Sequence, residues 1–155
     1  MEKYSRIKAL ISLDAIRYNF EQMKKNIKEG TKIIAVIKAD AYGHGAVPIA
    51  RMLEEFDYIW GFAAATAQEA LQLRKAGITR PILILGLVFE EYYKKLAEND
   101  VRMAVCDYET ARKFNKAAEE AGKKGLIHLA ADTGMTRIGF KDREESLEEI
   151  RRIAA

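Results

Sequence analysis

Cysteine is almost absent from this 155-residue chain. Cys106 stands alone, so no intrachain disulfide can form, and its neighbours Ala104 and Val105 suggest a small buried thiol in a reducing cytosol. Long hydrophobic runs are missing as well. No stretch approaches the ~20 apolar residues that span a bilayer. The N-terminal MEKYSRIKALISLDAIRYNF lacks an apolar core followed by a small-residue cleavage site. The expectation is a cytoplasmic, unprocessed chain with no membrane partner. Charge of one sign is scarce: 26 Lys and Arg against 23 Asp and Glu leave +3. Those charges alternate along helical segments, which gives nucleic-acid binding little support. No metal-ligand spacing, Walker loop or serine elbow occurs, so no metal is expected. No glycine-serine linker, proline run or low-complexity tract divides the chain, and residues 1–155 read as one domain.

What is present is a globular composition, 49% hydrophobic and 32% charged. A chain of this size removes roughly 68–70% of its unfolded surface from water on folding. Apolar runs begin near Ile33, Tyr58, Ile82, Val101 and Leu126, and each is followed by a segment with helical spacing. This is a βα repeat of roughly 20–25 residues. The runs IIAVI, YIWGF, PILIL and LIHLA are nearly continuous in apolar residues, as parallel strands covered on both faces should be. Helical stripes fall at Ile16, Phe20, Met23 and Ile27, at Ala111, Phe114, Ala118 and Ala121, and at Leu147, Ile150 and Ala154. Gly30, Gly77 and Gly122 punctuate helix ends. The run Ile7 to Leu13 reads as an additional strand.

The predicted fold is α/β: parallel βα units, about five of the eight that close a barrel of about 250 residues. Such a sheet is an open half-barrel with two unpaired edges and an uncovered inner face. Apolar surface of that extent predicts self-association, as a homodimer or by domain swapping.

The segment with most chemistry is AVIKADAYGHG, Ala35 to Gly45. An apolar strand ends on Lys38 and breaks into a small-residue turn holding Tyr42, Gly43, His44 and Gly45. Most strand-terminal lysines carry their charge into solvent. A lysine amine held against apolar walls, however, is a nucleophile or base. A second segment, ADTGMTRIGF, runs from Ala131 to Phe140. In it Asp132 and Thr133 read as turn formers. Arg137 carries a planar guanidinium suited to a carboxylate, or else a plain surface ion pair. His44 reads as a supporting residue hydrogen-bonded within its turn, and His128 as a satisfied core histidine.

Together the two segments resemble the alanine racemase family. The resemblance implies that Lys38 carries pyridoxal 5′-phosphate as an internal aldimine and acts as a catalytic base. It implies that Tyr42 lies near the cofactor phosphate and that Arg137 lies beside the cofactor and the substrate carboxylate. It further implies a TIM-like barrel, an amino-acid substrate and D-alanine supply for the cell wall. The sequence departs from the family at Ala130, where many members carry a lysine that helps set the neighbouring arginine. It also covers well under half of the enzyme: the rest of the barrel and a C-terminal β-domain, with a second catalytic tyrosine, are not in it. The chain therefore reads as the N-terminal part of a racemase barrel, inactive or weakly active by itself. Two other readings are a catalytically silent self-associating half-barrel and a fragment of a serine or other amino-acid racemase.

Overall fold

The apolar runs become five parallel strands in the computed structural model, which describes residues 7–155. The order is β1 (Ile33–Val36), β2 (Ile59–Ala64), β3 (Ile82–Ile84), β4 (Val101–Val105) and β5 (Ile127–Leu129), each hydrogen-bonded to the next. Every connection carries helix: α2 (Lys38–Gly43) and α3 (Ala46–Leu53), then α4 (Ala67–Lys75), then a 3₁₀ turn with α5 (Tyr93–Glu98), then α6 (Tyr108–Glu120). α1 (Leu13–Lys25) precedes the sheet and α7 (Glu144–Ala154) follows it. The sheet is open, as expected of five units without closure.

Local chemistry sets the helix starts. Ser12 Oγ accepts the Ala15 N–H, and Asp107 Oδ1 accepts the Thr110 N–H at 2.7 Å, so α1 and α6 begin on side-chain caps. The main core lies between the helices and one face of the sheet. Ile59, Phe62, Ile82, Ile84, Val101 and Met103 meet Leu53, Leu73, Leu96 and Phe114 there. At about 25 cal/mol per Å² of apolar area, this layer is the main stabilising term. The Phe114 ring packs edge-on against Tyr93 at 5.6 Å.

The opposite face carries the row Val36, Ala63, Leu83 and Arg102, one residue from each of four strands. At the edge strand β1 this face is open, with Ile34 and Val36 38% and 44% exposed. β2 contains an extra residue relative to β1: Ile33 pairs with Ile59 but Ile34 with Gly61. That bulge brings Trp60 under the Arg102 guanidinium, 5.2 Å from the ring centroid, with the His128 ring at 5.6 Å.

Several expectations are corrected. Residues 7–12 are not a strand, and Leu13 opens α1. A strand gains stability by pairing, and the sheet is made of β1 to β5 alone. Met23 is 43% exposed, because α1 is held mainly by Ile16 and Phe20. Leu147 and Ala154 are exposed, whereas Ser146 is buried, so α7 docks rotated from the predicted stripe. β1 and β5 are not covered on both faces: Ile34 and Val36 of β1 and Leu129 of β5 are exposed, because nothing among the described residues packs over the inner face at the two ends of the open sheet. His128 is half-buried on the open face, where burial and then Arg102 hold its imidazole below its ordinary range.

Candidate active site

Lys38 follows β1 at the C-terminal end of the sheet. The strand leading to it is pinned by the Ile37 N–H, which donates to Ala63 O at 2.9 Å, and the Ile37 carbonyl, half of the peptide that enters Lys38, accepts the Ala41 N–H. The peptides after Lys38 turn the opposite way from the other helices among the described residues. Ala39, Asp40, Ala41 and Tyr42 have φ of 50°, 52°, 54° and 55° with ψ between 38° and 48°, a left-handed turn built without glycine. Each such residue costs roughly 1–2 kcal/mol through crowding of Cβ against the following carbonyl. Strain of this kind persists only when surrounding groups over-determine it.

Those groups are identifiable. The Ala41 N–H donates to Ile37 O at 2.9 Å and the Gly45 N–H to Asp40 O at 2.8 Å. Asp40 Oδ1 accepts the Ala46 N–H at 2.7 Å, tying the turn to α3. Ala41 is buried, and His44 Nδ1 lies 3.0 Å from Ala41 O. The result presents Lys38, half-buried, with Nζ 5.9 Å from the centroid of the exposed Tyr42 ring. Lys38 has no ion pair among the described residues. The structure thus brings Lys38 and Tyr42 together.

Arg137 lies in the loop after β5, also at the C-terminal end of the sheet. The loop is closed by reciprocal bonds, Asp132 N–H to Phe140 O at 2.8 Å and Phe140 N–H to Ala130 O at 2.7 Å. Gly139 sits in the closure at φ +124°, where a Cβ would lie 2.6 Å from Asp132 N. Asp132 accepts the Gly134 and Thr136 N–H groups, which hold its carboxyl below the usual range. Arg137 itself is exposed, with no ion pair among the described residues. Lys38 and the loop that carries Arg137 follow β1 and β5, the two edge strands of the sheet. Four strand steps of about 4.8 Å separate those edges by about 19 Å along the sheet.

Cys106 is half-buried after β4; burial and then Asp107 push its thiol up, away from the reactive thiolate. Among the described residues no cluster of His, Cys, Asp and Glu could hold a metal, and no helix is long and apolar enough to cross a membrane.

Glu69 escaped the sequence reading. Its Oε1 accepts the Ala39 N–H at 2.9 Å, while Oε2 accepts the Ala65 N–H at 2.8 Å. The signal was present as Thr66-Ala-Gln-Glu69, the pattern of a helix capping box.

A family model described as "Alanine racemase, N-terminal domain" matches residues 11–155. An alanine racemase of Methanococcus maripaludis is 42% identical over 145 residues, covering 94% of this chain but 39% of the relative. The structure of Clostridium difficile 630 alanine racemase in complex with cycloserine superposes with a TM-score of 0.89 at 44% identity, over 92% of this chain and 39% of that one. A histidine racemase from Leuconostoc mesenteroides superposes at 0.78 with 32% identity, over 92% and 38%. The chain thus spans about two fifths of the length of these relatives.

Proposed function

Because the chain belongs to the alanine racemase family through its N-terminal domain, we propose that it is the cofactor-carrying part of a racemase barrel that interconverts L- and D-alanine in the complete enzyme. The observation that carries this reading is Lys38: a half-buried amine without an ion pair, at a strand end where barrel enzymes keep their reactive groups, displayed by a strained turn.

The residues present suit pyridoxal 5′-phosphate in part. Lys38 offers the amine that an aldehyde requires, Tyr42 a phenol for the phosphate side, and Arg137 a guanidinium for an acidic partner. Bound there, the cofactor supplies an electron sink that acidifies the α-hydrogen of an amino acid. Lys38 Nζ then has two duties, holding the group and moving the α-proton on its own side of the substrate. Tyr42 would hold the phosphate by its phenol. Arg137 orients the substrate carboxylate once the remaining barrel brings the loop after β5 toward the site. The edges β1 and β5 and the open face fit association with further chain, including a second copy, so a homodimer is the assembly we favour. The setting we assign is cytoplasmic.

A second reading is an amino-acid racemase of other specificity. The superposition on a histidine racemase favours keeping it, because a similar barrel segment stands in both.

Borohydride reduction in the presence of pyridoxal phosphate, followed by peptide mapping, tests the central assignment. Label on Lys38, lost in Lys38→Ala, is expected. Label scattered over surface lysines and unchanged in that variant counts against it.

A further inference from the structure

We propose that Glu69 is the positioning residue for Lys38, acting through the backbone of the left-handed turn. The proposal rests on the reading of Lys38 as the cofactor lysine.

In an ordinary capping box the carboxylate three residues into the helix returns to the N-cap N–H. Here that bond is the weakest one Glu69 makes, 3.4 Å to Thr66 N, and the carboxylate is directed outside its own helix. One oxygen holds Ala65 at the end of β2, and the other holds Ala39 at the end of β1. The Ala39 N–H belongs to the peptide plane whose other half is the Lys38 carbonyl. Fixing that plane fixes ψ of Lys38 and φ of Ala39, the first left-handed residue. The other peptide plane at Lys38 has its carbonyl, Ile37 O, bonded by the Ala41 N–H at 2.9 Å, so the Cα to Cβ direction of Lys38 is clamped from both sides.

A carboxylate is required rather than an amide. Both oxygens of Glu69 accept N–H groups, whereas a glutamine has one acceptor and would aim its NH₂ at a donor. The carboxylate also stands at the N-terminus of α4, where negative charge is favoured.

The test compares the full chain with Glu69→Gln and with Thr66→Ala, which removes the Thr66 Oγ1 bond to Glu69 N and leaves the Ala39 clamp intact. Two readings are taken: amide hydrogen exchange of residues 38–45 in the ligand-free chain, and borohydride-fixed pyridoxal phosphate on Lys38 at subsaturating cofactor. Glu69→Gln is expected to speed exchange there and to lower labelling, each by about tenfold or more. Thr66→Ala is expected to leave both near wild type while lowering the melting temperature. Unchanged exchange in Glu69→Gln overturns the proposal, as does a Thr66→Ala variant that reproduces its effects. If Glu69→Gln does not fold, Glu69→Asp, which keeps the charge but is one methylene short, is judged by the same two readings. Wild-type chain that never labels on Lys38 would sink the proposed function, while the exchange data would still decide the role of Glu69.

Discussion

Asp132 Oδ1 accepts the N–H of Thr136 at 2.9 Å, and the bond lands on a β-branched residue held at φ +55°. The carboxylate thus draws the loop that carries Arg137 into a conformation that threonine resists. Crowding there costs about 1–2 kcal/mol, and the greater unfolded freedom of glycine returns about half of that. Thr136→Gly is therefore expected to stabilise the chain by about 1 kcal/mol or less, read as a small rise in melting temperature. A fall would show that the Thr136 hydroxyl bond to Met135 O outweighs the strain.

The same carboxyl makes the loop acid-sensitive. The Thr136 and Gly134 N–H groups lower its pKa from the ordinary 3.8, so in acid the unfolded chain binds more protons than the folded one. The stabilisation is complete above about pH 4 and is lost as pH falls through the depressed value. Asp132→Asn should have a flatter stability profile than wild type below about pH 4. Parallel profiles from denaturant titrations would remove Asp132 from the account.

Phe114 reports on the helix-to-sheet layer. It is 1% exposed and edge-on to Tyr93. Phe114→Ala should cost about 3–5 kcal/mol, or roughly 10 °C in melting temperature for a domain of this size. A loss under ~1 kcal/mol would mean that the site collapses around the cavity.

Proton exchange should outpace inversion. Lys38 serves one face of the substrate, and the resemblance assigns the other face to a tyrosine outside the matched segment. The 155-residue polypeptide with saturating cofactor should then exchange the α-hydrogen of one alanine enantiomer with solvent deuterium while racemising about 10²–10⁴-fold more slowly than a two-base enzyme. Exchange and racemisation at matching rates, both abolished by Lys38→Ala, would show a second base within these residues.

β2 and β3 were legible because a parallel strand covered on both faces reads as an unbroken apolar run; the starts of β2 and β5, Ile59 and Ile127, fall within one residue of the expected Tyr58 and Leu126. The α6 stripe was equally clear, with Ala111, Phe114 and Ala118 all buried. The ends were not. Ile7 to Leu13 has strand-like composition, yet strand formation depends on a pairing edge that composition does not record. Lys38, Tyr42 and Arg137 were found by motif, and their position at the C-terminal ends of strands followed from the βα order. The left-handed turn was invisible, because alanine favours the right-handed helix more than any other residue. What reverses it at Ala39 and Ala41 comes from outside the turn, in part from a carboxylate 30 residues away.

That separation gives the site a history. When Lys38 emerges during synthesis, the acceptor that holds Ala39 has not yet been made, and only the bonds within residues 37–46 favour the leftward turn. The Glu69 hold on it becomes available only after β2 and the first turn of α4 exist. The proposed cofactor lysine is therefore set in part by a later stretch of the chain, so a nascent polypeptide stopped before Glu69 contains the motif but lacks the bond that holds Ala39.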